Sequence, residues 1–317
     1  MSEFITIGEA MVLFGSCEPD LALKDASEYR KFLAGAEVNV CVGVARQGHS
    51  ATYVTALGDD PFGHFIEETI QKNGIETDYI SFTKDFWTGF MMKNRVINGD
   101  PDIFYWRKNS AAANFAKAKI DEIDLSDTKF AHLSGIFPAI SDNALNVFRY
   151  LVTKLQEAGV RTTFDPNLRP QLWESQDYMI QVTNELAAQS EIILPGVNEG
   201  DILVGTREPS EIADFYLNQS DITQTVIVKL GEEGAYVKQK DGREFTVAGF
   251  KAKEVVDTVG AGDGFAAGLI SSLLEGETIE QAVRRASAIG CLAVQSPGDN
   301  DGYPTVEELQ AFYAEQA

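Results

Sequence analysis

Positive charge is scarce in this chain: 26 lysines and arginines stand against 48 aspartates and glutamates, a formal net charge of −22 over 317 residues. So acidic a surface repels phosphate backbones and anionic headgroups, which excludes nucleic acid and membrane as partners. Cysteine is scarcer still. Cys17, Cys41 and Cys291 are isolated, odd in number and outside any C-x-x-C spacing, which excludes a zinc site and predicts reduced thiols. No apolar run approaches the roughly 18 residues of a membrane span. The opening Met1-Ser2-Glu3-Phe4 lacks a basic segment and a long apolar one, so no signal peptide is expected and the expected location is cytoplasmic. No G-x-x-x-x-G-K-[ST] occurs, which excludes the P-loop route to phosphate. No repeat, low-complexity tract or Gly/Ser/Pro-rich linker divides the chain, and one domain over residues 1–317 is expected.

What is present is concentrated in Asp257-Thr258-Val259-Gly260-Ala261-Gly262-Asp263-Gly264-Phe265. The apolar residues that follow, Ala266, Leu269, Ile270, Leu273 and Leu274, have helical spacing, so the glycine turn is expected at a helix N-terminus. Free N–H groups and the positive end of the dipole make such a turn an anion site. A fixed carboxylate there repels an anion unless it does chemistry on it, by taking the proton of an attacking hydroxyl. Two other readings share the pattern: an ordinary αβ turn capped by an aspartate, and a dinucleotide fingerprint through Gly262, Gly264 and Ala267.

In so acidic a chain, cations must be gathered locally to hold an anion. Two clusters stand out: Phe104-Tyr105-Trp106-Arg107-Lys108 and Asp165-Pro166-Asn167-Leu168-Arg169. The second follows a strand-like run, and ligands of open α/β sheets bind at such strand ends. A helix is predicted over Asn143–Ala158, ended by Gly159. Strands are predicted at Arg161–Phe164, Glu191–Leu194 and Thr225–Leu230, and capping boxes begin at Thr278 and Thr305. This alternation predicts an α/β fold with a mostly parallel central sheet and helices on both faces. Segments at about 12–31 and 87–107 read instead as short hairpin strands.

Taken whole, the glycine stretch resembles the C-terminal signature of the ribokinase-like carbohydrate kinases. Ala34-Gly35-Ala36-Glu37-Val38-Asn39 with Gly58-Asp59-Asp60 is similar to their N-terminal signature, so the resemblance spans nearly the full chain. It implies that Asp263 is the catalytic base and that Gly260, Ala261 and Gly262 form the anion hole. It implies ATP and Mg²⁺ as cofactors. Asn198, Lys229, Gly231, Gly234 and Ser287 would serve the nucleotide, with magnesium held through phosphates and water near Asn198 and Asp201. Here Asp201 stands where the family's N-x-x-E element has glutamate. The two hairpin segments would form a small sheet that lids the sugar and joins copies into a homo-oligomer. Within the superfamily, Phe104 to Ala111 and Asp165 to Arg169 resemble the 2-keto-3-deoxygluconate kinase group, implying a sugar-acid substrate. Gly35, Asn39, Phe90, Tyr105, Arg107 and Arg169 would contact it, with Phe90 where many relatives carry tyrosine. Fructokinases share both signatures, and a non-catalytic sugar-binding protein on this scaffold is the reading from another class.

Overall fold

Runs rich in Ile, Val, Thr and Phe alternate with amphipathic segments, and the strands they form assemble into two sheets. The computed structural model describes residues 2–97, 101–296 and 298–316. The strands are β1 (Phe4–Ile7), β2 (Met11–Pro19), β3 (Tyr29–Ala34), β4 (Ala51–Gly58) and β5 (Ile80–Thr83). Then come β6 (Phe90–Arg95), β7 (Ile103–Trp106), β8 (Phe130–Ser134), β9 (Arg161–Asp165) and β10 (Ile192–Ile193). A terminal group comprises β11 (Thr225–Lys229), β12 (Gly234–Gln239) and β13 (Glu244–Ala248). The large sheet has nine strands in the order β13-β12-β11-β10-β9-β8-β1-β4-β5, parallel from β11 to β5, with the β12–β13 hairpin antiparallel at one edge.

Successive side chains of a strand leave on opposite faces, and that parity divides the interior in two. Phe4, Ile192 and Ile227 enter one core with the helices Ala36–Arg46, Ala261–Leu274 and Ile279–Ala293. Ile5, Ile193, Val226 and Val228 enter the other, with Asp142–Glu157 and Gln176–Ala187. Helices therefore cover both faces. Asp142–Glu157 shows why such a segment is helical: Ser141 caps it through Ala144 N–H, and Leu145, Phe148, Val152 and Leu155 recur on one buried face. Burying each of these is worth about 1.5–3 kcal/mol. Gly159, at φ 69°, follows its last turn.

The second sheet has four strands in the order β3-β2-β6-β7 and covers the far side of the ligand cleft. Two excursions of the chain build it, and the first runs on to Ala34, past the expected limit. Residues 98–100 of the second expected segment lie outside the described residues.

Candidate active site

Parallel strands end in loops at one edge of a sheet, so their functional groups collect there. The loops after β9, β10 and β11 supply Asp165 to Arg169, Gly196 to Glu199, and Lys229 to Gly231. With the four-stranded sheet opposite, they enclose a cleft of about 1000 Å³.

The glycine turn opens the helix Ala261–Leu274, as its sequence predicts. Gly260 is its N-cap in the left-handed region, φ 81°, where a Cβ would lie 1.8 Å from Asp299 O. The first helical bond is Gly264 N–H to Gly260 C=O at 2.8 Å. The amides of Ala261, Gly262 and Asp263 precede that bond, so helix geometry gives them no i−4 partner. Tyr303 Oη donates to the same carbonyl at 2.6 Å and fixes the turn from behind. Gly262 faces the cleft: a Cβ there would meet Lys229 Nζ at 3.7 Å and Asp165 Oδ2 at 3.9 Å.

Asp263, in the first turn, is buried at the cleft floor. Asn39 Nδ2 donates to its Oδ2 at 2.9 Å, and Asn167 Nδ2 reaches Oδ1 at 3.4 Å. Burial pushes its carboxyl up to about 6, against the Asn39 hydrogen bond that lowers it. A carboxylate with that pKa is ionised at neutral pH yet basic enough to accept a proton. Asn39, expected at the sugar, is thus committed first to the base, and Asn300 Nδ2 orients it through its Oδ1 at 2.7 Å.

Lys229 Nζ donates to Asp165 Oδ2 at 2.6 Å. Desolvation works against the ammonium, but Asp165 and Glu199 hold its pKa above the usual lysine value. Glu199, not Asp201, is the acidic group turned to the cleft. It accepts from Gly196 N–H at 2.7 Å and Leu168 N–H at 3.0 Å, and burial raises its pKa. Asp201 is exposed and paired with Arg207 at 3.5 Å. Asn198 and Gly231 line the cleft. Gly234, at φ 104°, closes the turn into β12. Ser287 sits in the helix Ile279–Ala293, its Oγ buried without a hydrogen-bond partner among the described residues and outside the cleft lining.

From the lid, Tyr105 and Arg107 line the cleft, as does Gly35 at the start of the helix Ala36–Arg46. Phe90 does not. It stacks on Trp106 at 5.0 Å and packs edge-on against Phe62, lining a separate pocket of about 500 Å³. Its neighbours Met91 and Lys93 take the cleft-facing positions instead. Arg107 is buried against Glu9, Nε to Oε2 at 2.6 Å, and Lys93 pairs with Asp257. Arg169 Nη1 donates only to backbone carbonyls, Leu168 O at 2.9 Å and Asn167 O at 3.4 Å.

A buried carboxylate beside helix N-terminal amides, facing a cleft between two sheets, is the arrangement expected of a sugar kinase. The chain matches the pfkB family of carbohydrate kinases over residues 1–306. It belongs to that family. It is 40% identical to a 2-dehydro-3-deoxygluconokinase of Bacillus subtilis (strain 168), over 98% of this chain and 95% of that protein. A 2-dehydro-3-deoxygluconokinase of Thermoproteus tenax is 30% identical over 98% of this chain and 94% of its own length. Among solved structures, a PfkB protein from Polaromonas sp. JS666 superposes with TM-score 0.90 at 39% identity, covering 98% of this chain and all (100%) of that one. A putative ribokinase II from E. coli in complex with ATP and Mg²⁺ superposes with TM-score 0.90 at 25% identity, covering 99% and 100%.

Two residues at or behind this carbohydrate kinase's cleft, Asp299 in its lining and Asn300 behind Asn39, carry no sequence signal of their own. Asp299 is buried, with Oδ1 unpartnered among the described residues, and burial raises its pKa to about 7 against the opposing charge of Lys93. Asn300 holds Asn39. Both sit in a polar stretch before Tyr303 that reads as a plain loop; only the tertiary fold brings them to the base.

Proposed function

We propose that the protein transfers the γ-phosphoryl group of ATP to the terminal hydroxyl of 2-keto-3-deoxygluconate (2-dehydro-3-deoxygluconate). The observation that carries the substrate is Arg169. Among the described residues it is the one cation lining the cleft without an ion-pair partner, since Lys93, Arg107, Arg207 and Lys229 each hold a carboxylate. A free guanidinium suits a sugar acid, whose carboxylate it can hold bidentately, and serves no purpose for a neutral sugar. Two relatives named for this substrate support the same reading.

In this reading Asp263 takes the proton of the terminal hydroxyl as that oxygen attacks the γ-phosphorus in line. The new O–P bond forms, the bond to the ADP oxygen breaks, and the proton stays on Asp263. The amides of the 260–262 turn, with that of Asp263, face the charge on the transferring oxygens. Lys229, Gly231 and Asn198 serve the phosphates, while Gly234 shapes the turn behind them. Ser287 enters this reading only if the nucleotide reaches its buried hydroxyl. A magnesium ion would be carried by the phosphates, beside the cleft-lining Asn198 and Glu199. Asn198 and Glu199 would hold it through water, and it would offset charge on the phosphates. The lid excludes water from the reacting groups.

The deciding experiment compares Arg169→Ala with wild type on 2-keto-3-deoxygluconate and on fructose. Loss of a charge-assisted contact costs about 1.5–3 kcal/mol, a roughly 10- to 150-fold fall in kcat/KM on the acid, with little change on fructose. Equal losses on both would assign Arg169 to the phosphates, and a wild-type preference for fructose would reject the sugar acid.

We also read the outer face of the lid as the contact between copies of a cytoplasmic homo-oligomer. Trp87, Phe104 and Trp106 are exposed there beside the Phe90 pocket, and apolar patches of this kind mark contact sites. Sedimentation should show an oligomer that Trp106→Glu dissociates; a monomeric wild type would refute the assignment.

A further inference from the structure

Resting on that reading, we infer that Glu9 is a positioning residue that sets both the orientation of Arg107 and the seating of the lid. The chain passes between the large sheet and the lid four times: from β1 to β2, from β3 to the helix at Ala36, from β5 to β6, and after β7. Glu9 lies on the first crossing, and the other three meet it. At the second, a Cβ on Gly35 would stand 2.7 Å from Glu9 O. At the third, a Cβ on Gly89 would stand 2.9 Å from Glu9 Oε1. At the fourth, Arg107 Nε donates to Oε2 at 2.6 Å, Arg107 Nη2 lies 2.6 Å from the same oxygen, and Ser110 Oγ donates to Oε1. The third and fourth crossings are joined directly by Ala111 N–H to Trp87 C=O at 2.8 Å.

Glu9 is 2% exposed, and among the described residues its ion-pair partner is the guanidinium of Arg107, with Ser110 Oγ donating to its other oxygen. Removing one member of such a pair strands the other. The pair also divides labour in the cleft. Glu9 accepts from Arg107 Nε and stands 2.6 Å from Nη2, which is buried without a hydrogen-bond partner, and Nη1 has no protein acceptor, among the described residues. Arg107 is therefore an oriented hydrogen-bond donor whose charge is already balanced, whereas Arg169 brings net positive charge to the substrate. Glu9 acts on the substrate through Arg107, and on the lid through the same carboxylate.

The test is a double-mutant cycle of Glu9→Gln and Arg107→Met, with kcat/KM measured on 2-keto-3-deoxygluconate and thermal melting confirming each fold. Each single variant should lose about 10-fold or more, and the double should lose no more than Arg107→Met alone, with KM for ATP unchanged throughout. Independent, additive losses would overturn the inference, as would a Glu9→Gln enzyme within about two-fold of wild type. Should Glu9→Gln fail to fold, Glu9→Asp replaces it, keeping the charge but withdrawing it from the guanidinium. Amide exchange at residues 87–89 and 107–111 of the ligand-free variant must also accelerate; unchanged exchange rejects the seating role. Wild type inactive on the sugar acid would instead reject the substrate assignment, and the cycle would be run on fructose.

Discussion

As the proposed base, Asp263 is kept in a usable range by opposing influences: burial raises its pKa to about 6 and the Asn39 amide pulls it back. Asp263→Asn keeps the shape and removes the proton acceptor, so kcat should fall by roughly 10²–10⁴; a variant that keeps most of its turnover removes Asp263 from the base role. Asn39→Ala removes the group that favours the ionised form, so the pKa of Asp263 must rise further. The active species is the carboxylate, lost as pH falls through the pKa, and the acid limb of kcat against pH should therefore move to higher pH. A limb that stays in place or moves down would show that Asn39 does not tune the base. At this scale the sequence was readable where a motif names both the residue and its backbone setting, as at Asp263. It was unreadable where one residue of offset decides the outcome. The helix Val197–Leu203 starts so that Glu199, at its third position, bonds back to Gly196, while Asp201, in the same helix, stays out of the cleft lining. On β6, period-two alternation sends Phe90 away from the cleft and Met91 into it.

At the scale of elements, the two glycines of the anion turn should respond differently to substitution. Gly260→Ala demands a left-handed conformation and drives a methyl into Asp299 O, so it should destabilise by at least about 1–3 kcal/mol. Gly262 has an ordinary helical backbone, and a Cβ there would meet Lys229 and Asp165 at ordinary van der Waals distance. Gly262→Val should thus melt close to wild type while losing at least about 100-fold in kcat. Normal turnover in a folded Gly262→Val protein would make the turn purely structural. Most elements were legible for local reasons. Thr278 and Thr305 form the capping boxes their spacing predicts, and the helix after Ser141 begins within one residue of expectation. The strand predicted over Glu191–Leu194 shortens to Ile192–Ile193, because pairing on both sides of a strand is set by its neighbours β9 and β11. The lid could be placed by its broken pattern, but its pairing order β3-β2-β6-β7 unites segments far apart in sequence and left no local trace.

At the scale of the molecule, the acidic balance of the composition fits a cleft in which nearly every cation is already paired, and the proposed anionic substrate rests on the one guanidinium, among the described residues, that is not. The order of parts along the chain has a further consequence. All lid strands, and the crossings that meet at Glu9, lie before residue 112, whereas Glu199, Lys229, the glycine turn and Asp263 all lie after residue 195. In the proposed reading, substrate choice and most of phosphoryl transfer thus lie in separate stretches of the chain, with Arg169 between them, although Asn39, which bonds Asp263, lies on the first. Recombination need cut only once to exchange the first while sparing the second. The demanding joint is the contact between the helices Ala36–Arg46 and Ala261–Leu274, where a Cβ on Gly43 would lie 2.4 Å from that of Ala267. A chimera carrying the first 111 residues of a fructose-specific relative, with Asn39 and Gly43 kept and Arg169 replaced, should phosphorylate fructose through Asp263 in its present setting. A folded chimera that retained sugar-acid preference would show that selectivity is dispersed, and that such kinases diversify residue by residue instead of by exchange of whole segments.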